Sequence, residues 1–424
     1  MIRKYLLLII FCIPFMVSAQ KDKKVDTSQI VISGRSNAIS THQKPYVILI
    51  SADGFRYDYF KKYNANHLLN IANNGVWAKN GMYPSYPSIT FPNYYTLVTG
   101  MYPAHHGIVD NTFFDPSRNE TYKIGTETVE DGSWYRGLPL WGLAENQGVL
   151  AASLFWVGSE SNAGGTRPTY YYRYHEKFTD NDKVNIIKNW LTLPEDKRPH
   201  FITLYFPEVD HDGHKYGTEA KETEASVQFV DQTIQKLVDA LAPLNLPINF
   251  VFVSDHGMIN VEESKYTIIP DFDFKKFTVV NSGTFARITA KDKKDVQPVF
   301  NMLQRENYKN FKSYLATDFP EKLHYSTKED TSRRIGDIIL VPKKSKVLTE
   351  AGRISSLGKH GFNVYKVPEM KAAFVAWGPA FKTNKKIKSF ENIHVYPMIA
   401  EILGLNITHD IDGDAKVLNQ ILKK

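Results

Sequence analysis

Five apolar runs of strand length punctuate the chain, and each breaks off abruptly into polar residues: 46–51, 149–156, 201–206, 248–254 and 372–377. A run that is apolar without alternation suits a strand buried on both faces of a sheet. Amphipathic stretches near 182–192, 221–241 and 394–404 suit crossover helices. This alternation predicts a doubly wound α/β fold with a mostly parallel central sheet. Residues about 265–355 break the pattern. They are Lys-rich, with short strand-like pieces and one predicted helix at 294–306, and read as a smaller inserted α+β lobe.

In doubly wound sheets, ligands gather outside the carboxyl ends of the strands. Here those ends carry acids and histidines. The run ILISADG ends in Asp53, FITLYFPEVDHDGH continues to Asp210 and His214, and FVFVSDHG ends in Asp255 and His256. One such Asp is ordinarily a turn residue or a helix cap. Three of them with two histidines at one rim point to a divalent-metal site built from oxygen and nitrogen donors. His360, between glycines in GKHGF, is a further candidate ligand. Two metals close together would activate a nucleophile and hold phosphoryl oxygens. The candidate nucleophile is Thr90. Pro92 suits the first turn of a helix, which puts Thr90 near that helix's N-cap, where free N–H groups and positive potential favour a phosphate.

The only cysteine, Cys12, excludes a disulfide framework and any Cys-rich metal site. It lies in residues 1–19, which read as an export signal. Arg3 and Lys4 precede an apolar stretch, and Ser18-Ala19 suit cleavage before Gln20. The stretch is shorter than the ~20 residues that span a bilayer, so the mature chain is expected to lack a membrane span and to be periplasmic or secreted. Residues 20–43 are polar and without periodicity, and read as a flexible lead-in to a domain at 44–424. The net charge of +7 comes from interspersed charges and gives no argument for a nucleic-acid partner.

At these residues the chain resembles the nucleotide pyrophosphatase/phosphodiesterase family of the alkaline phosphatase superfamily. The resemblance rests on ISADGFR, PSITFPNYYTLVTGMYPAHHGIVDN (87–111), GSE followed by RPTYY, EVDHDGHKYG (208–217), SDHGM (254–258), KHGF (359–362) and GPAFK (378–382). It implies an alkaline-phosphatase-like three-layer sandwich whose catalytic domain binds two zinc ions. Asp210, His214 and His360 would hold one ion, and Asp53, Thr90, Asp255 and His256 the other. Thr90 would attack phosphorus and form a phospho-threonine, which water activated at the first zinc would then hydrolyse. Asn111 would hydrogen-bond a non-bridging oxygen together with the Thr90 backbone N–H. Two departures stand out. Thr218 follows Gly217 where the family often has Pro, and Asn363-Val364 stand where it often has Asp-Asn.

A sulfatase would need a Cys or Ser where Thr90 stands. A monoesterase ordinarily needs a further cation beside the phosphate. The segment 158–165 offers Glu160 and no cation, although Arg167 follows. A small-molecule diester or pyrophosphate with an organic substituent fits better, so nucleotides and their esters are the expected substrates. In the family, aromatic residues at positions such as Phe91 and Tyr205 resemble a clamp for a nucleobase. Tyr174 and Glu160 would bind polar groups nearby. Choline or lysophospholipid head groups, or phosphonoacetate, are alternative substrates for the same two-metal site.

Overall fold

The computed structural model describes residues 25–261, 266–306, 308–343, 346–350 and 356–423. The export signal read at 1–19 lies outside the described residues. The core is a nine-stranded sheet of β1 (Ile30–Val31), β2 (Tyr46–Ala52), β3 (Val76–Trp77), β4 (Ala151–Leu154), β5 (Tyr170–Tyr172), β6 (Phe201–Phe206), β7 (Ile248–Val253), β8 (Phe374–Trp377) and β9 (Lys385–Lys386). Their spatial order is β1-β5-β4-β6-β2-β7-β8-β3-β9. The five strands from β5 to β7 are parallel, whereas β1 and β8 run antiparallel to their neighbours.

Every residue of β2 is buried. Val47 and Leu49 pack into one apolar cluster, and Ile48, Ile50 and Ala52 into another on the opposite face. That two-sided burial makes three layers. Helices α1 (Thr90–Thr99) and α5 (Val395–Ile402) cover the first face. Helices α2 (Asp180–Leu191), α3 (Glu208–Tyr216) and α4 (Lys221–Leu241) cover the second. Helix α2 starts two residues before its apolar pattern, because Thr179 and Asp182 form a reciprocal capping box. The run at 149–156 yields only a four-residue strand. Phe155 takes a left-handed φ of 69°, which turns the chain off the sheet.

Part of the lead-in read at 20–43 makes defined contacts with the domain. β1 pairs with β5, and the Asn37 side chain bonds the carbonyls of Glu195 and Arg198 and the Leu150 N–H. A two-residue edge strand and one buried amide are too short to leave a periodic signal. In the Lys-rich region, strands Phe277–Asn281, Ala286–Ala290, Ile338–Pro342 and Phe311–Leu315 form an antiparallel sheet in that order. Helix Val296–Arg305 packs on it around Leu303. Two buried arginines fasten this sheet and the segment leading into its strand Ile338–Pro342 to residues 107–115. Arg287 bonds Asp110 at 2.6 Å and the Thr112 carbonyl at 2.5 Å. Arg334 bonds Asp115 and the Gly107 carbonyl, both at 2.8 Å.

One buried histidine carries a pH prediction. His106 sets Nε2 against Thr96 Oγ1 (3.0 Å) and the Pro92 carbonyl (3.2 Å), and its Nδ1 accepts the Ile108 N–H. The ring is therefore neutral, and burial pushes its pKa down to about 3. Tyr95 lies edge-on to it, and the nearby charges, Asp412 and His105, act in opposite directions. An unfolded histidine titrates near ~6.5, so below that pH the unfolded chain binds the proton first. The stability from this neutral ring is complete above about pH 6.5 and is lost as the pH falls toward 3. Urea melts should show His106→Gln losing stability less steeply on acidification than the wild type. The difference in slope should approach about 1.4 kcal/mol per pH unit.

Candidate active site

Strands β6, β2 and β7 are adjacent and parallel, so their carboxyl ends lie side by side. Asp53 follows β2, Asp210 and His214 sit on α3 after β6, and Asp255-His256 follow β7. Gly54, at φ 65°, lets the Asp53 turn lie against α3; a Cβ there would sit 3.1 Å from the Cα and Cβ of Asp210. The ligand candidates separate into two groups, Asp210 with His214 and His360, and Asp53 with Asp255 and His256. Within the first, His214 Nε2 is 3.4 Å from Asp210 Oδ2 and 3.0 Å from His360 Nε2. Within the second, His256 Nε2 is 2.9 Å from Asp255 Oδ2 and 3.6 Å from Asp53 Oδ1. The His256 and His360 rings stack at 3.6 Å, so the groups adjoin.

The proton positions decide what these contacts mean. His214 Nδ1 faces the Gly358 carbonyl at 2.8 Å, His256 Nδ1 the Gly257 carbonyl at 3.0 Å, and His360 Nδ1 the Ser88 carbonyl at 3.0 Å. A carbonyl only accepts, so each Nδ1 carries the proton and each Nε2 presents a lone pair. Lone pairs then face carboxylates and each other at 2.9–3.6 Å. Asp53 Oδ1, Asp210 Oδ1 and Asp255 Oδ2 are buried without a hydrogen-bond partner. Burial, then the neighbouring carboxylates, hold Asp53 and Asp255 well above the usual carboxylate range. Burial, then His256 and His214, hold His360 well below the usual histidine value. Shared cations at these two groups would relieve each of these conflicts. Ligand atoms ~2.0–2.1 Å from a tetrahedral zinc lie about 3.3 Å apart, which matches these spacings.

Thr90 is the first residue of α1, with Ile89 as its extended cap residue. Its Oγ1 is 3.3 Å from His256 Nε2. The first N–H groups of a helix lack intrahelical acceptors. Asn111 Oδ1 takes the Phe91 N–H at 2.9 Å, which orients the amide and leaves its NH₂ as a donor. Both groups line a cleft of about 800 Å³ that also holds Asp53, Asp210, His214 and His360.

A family model for type I phosphodiesterase / nucleotide pyrophosphatase matches residues 47–363. The chain belongs to this family, within the alkaline phosphatase superfamily. It is 35% identical over 398 residues to ectonucleotide pyrophosphatase/phosphodiesterase family member 1 of Homo sapiens, covering 90% of this chain and 42% of that protein. It is 32% identical over 405 residues to venom phosphodiesterase 2 of Crotalus adamanteus, covering 92% and 49%. The chain thus spans about half the length of the curated relatives it matches. Murine ectonucleotide pyrophosphatase / phosphodiesterase 5 superposes with a TM-score of 0.81 at 28% identity, over 90% of this chain and 100% of that one. An inactive threonine-to-alanine variant of the murine protein, in complex with AMP, superposes with a TM-score of 0.82 at 27% identity, with the same coverage.

In this family member the remaining cleft wall comes from Phe91 on α1, from residues 124–130 and from the ends of β4, β5 and β6. Phe91, Tyr205, Tyr174 and Glu160 all line it. Tyr205 donates its hydroxyl to Asp53 Oδ2 at 2.7 Å, so it tethers a candidate ligand as well as presenting a ring. Tyr174 is 43% exposed, with its N–H on Glu160 and its hydroxyl on Glu176. Beyond the segment 158–165, Arg173 lines the cleft, paired with Glu130 at 3.2 Å. Arg167 instead bonds the Glu160 carbonyl. Glu127, Glu130, Glu176 and His211 also reach the cleft, and sequence reasoning missed them because no metal-like spacing marks them. At the first departure, the Thr218 N–H donates to Asn260 Oδ1 at 2.6 Å, a bond that proline cannot make.

Proposed function

We propose that the chain is an exported phosphodiesterase that cuts nucleoside triphosphates, dinucleotides or 5′-nucleotide esters and releases nucleoside monophosphates. The observation that carries this reading is Thr90, at a helix N-terminus with its Oγ1 against one of two adjoining groups of metal-ligand candidates, in a cleft walled by aromatic rings. Export is supported by the sequence of residues 1–19, and among the described residues no helix is long and apolar enough to cross a membrane. The AMP carried by the murine relative supports the nucleotide class.

Two zinc ions are the proposed cofactors, one at Asp210, His214 and His360 and one at Asp53, Thr90, Asp255 and His256. When bound, they supply positive charge that lowers the hydroxyl pKa of Thr90 and offsets charge on the phosphoryl oxygens. Thr90 Oγ attacks phosphorus as the bond to the leaving oxygen breaks, and the phospho-threonine is hydrolysed by water. The Asn111 NH₂ and the Thr90 backbone N–H donate to the phosphoryl oxygens as their charge grows. Phe91 and the exposed ring of Tyr174 hold the base, while Tyr205 fixes Asp53 and closes the inner wall. Asn111→Ala is expected to lower kcat about 10²–10³-fold with a smaller change in KM, as steady-state assays would show.

The test compares p-nitrophenyl esters of a 5′-nucleotide, of phosphate and of phosphorylcholine at equal concentration. Preference for the nucleotide ester supports the proposal, and preference for the simple monoester overturns it. One observation favours a second reading. Four glutamates, Glu127, Glu130, Glu160 and Glu176, line the cleft against the single guanidinium of Arg173. Acidic groups beside exposed aromatic rings also suit a choline head group, and preference for the choline ester would select it.

A further inference from the structure

A second cavity, of about 330 Å³, lies between the inserted sheet and the loop that follows His360. Tyr314, Phe319 and Phe362 supply aromatic walls, and Lys312, Lys343 and Lys366 supply charge. No carboxylate lines it, and none of the three ammonium groups meets a carboxylate among the described residues. The catalytic cleft has the opposite balance, with four glutamates in its wall. An aromatic cavity whose only formal charges are three exposed, unneutralised ammonium groups has two complementary needs. Its walls gain by excluding water from a flat apolar body, and its lysines gain from one compact negative group. Lysine is a flexible point charge, so the head can be phosphate, sulfonate or carboxylate.

The geometry points to a binding site for a small organic anion with a flat apolar body, separate from the catalytic cleft. The two spaces are neighbours through one strap. Phe362 forms a wall of this cavity, and His360, two residues earlier, lines the cleft. Ser88 ties the strap down, with its Oγ donating to the Phe362 carbonyl at 2.8 Å and accepting the Gly361 N–H at 3.1 Å. A probe must therefore be assigned to one space or the other.

The experiment is a fluorescence titration of the zinc-loaded full chain with 8-anilinonaphthalene-1-sulfonate. N-phenyl-1-naphthylamine serves as its uncharged counterpart. Two variants locate the probe: Lys312→Gln/Lys366→Gln in this cavity and Phe91→Ala/Tyr174→Ala in the cleft. The lysines are exposed, so the first variant should keep the wild-type melting temperature. The expected result is saturable binding of one anion per chain, unchanged in the cleft variant and about tenfold weaker in the lysine variant. Binding lost in the cleft variant and kept in the lysine variant overturns the site. Absence of saturable binding also overturns it. Equal affinity for the uncharged counterpart overturns its anion selectivity.

Discussion

Thr90→Ala is expected to lose at least about 10³-fold in kcat on a p-nitrophenyl ester of a 5′-nucleotide. The reason is positional. Thr90 opens α1, its Oγ1 lies 3.3 Å from His256 Nε2, and the cleft lining offers no other serine, threonine or cysteine beside the ligand groups. Thr126, the other hydroxyl in the lining, stands with the outer wall residues Gly125 and Glu127. Thr90→Ser restores a hydroxyl at the same place and should recover much of the rate. The variant is expected to fold, because removing the side chain leaves the Ile89 cap and the buried face of α1 untouched. Near-normal turnover by Thr90→Ala, with normal zinc content, would sink the threonine mechanism. Rapid-quench detection of a phosphorylated wild-type chain, absent in Thr90→Ala, would support it.

Removing metal should change stability as strongly as activity. Asp53 and Asp255 are at most 2% exposed, and Asp53, Asp210 and Asp255 each carry an unpartnered oxygen. Without cations, burial and mutual repulsion act against the folded state. A ligand that binds only the folded chain stabilises it by about 4 kcal/mol at a thousandfold excess over its Kd. Chelation is therefore expected to abolish turnover and lower the melting temperature by several degrees, and zinc should restore both. Asp255→Asn removes one buried negative charge. It should raise the melting temperature of the chelated protein, shrink the gain on adding zinc and eliminate activity. Calorimetry with and without chelator tests this. A chelated wild type that melts with the zinc-loaded one would mean that these carboxylates are satisfied without metal.

Much of the sheet was legible because burial leaves a mark in sequence. The runs 46–51, 201–206 and 248–254 became β2, β6 and β7 almost residue for residue. Strands buried on both faces tolerate no polar interruption. The long helix at 221–241 was equally plain, since one apolar stripe must face the sheet. Edges were not legible. β1 is held by pairing with β5 and by the Asn37 amide, neither of which needs an apolar pattern. The bend at Phe155 was hidden for a related reason, as a single left-handed φ leaves no mark on an apolar pattern.

The sequence by itself supplied the candidate residues for the chemistry. Asp and His at strand ends, and Thr90 ahead of a helix, are choices of residue type that the chain spells out. Tertiary structure decided how those residues are used, because spatial adjacency is not written in sequence distance. The order β6-β2-β7 brings Asp210, Asp53 and Asp255 together across 202 positions, from Asp53 to Asp255. Backbone carbonyls of Ser88, Gly257 and Gly358 set the histidine tautomers, which no side-chain pattern encodes. The Tyr205 hydroxyl is turned inward to Asp53, while the ring of Tyr174 stays partly exposed. In one dimension Tyr205 reads as a wall of the base clamp and Tyr174 as a contact for polar groups. Packing against their different neighbours made one a tether and left the other facing the cleft.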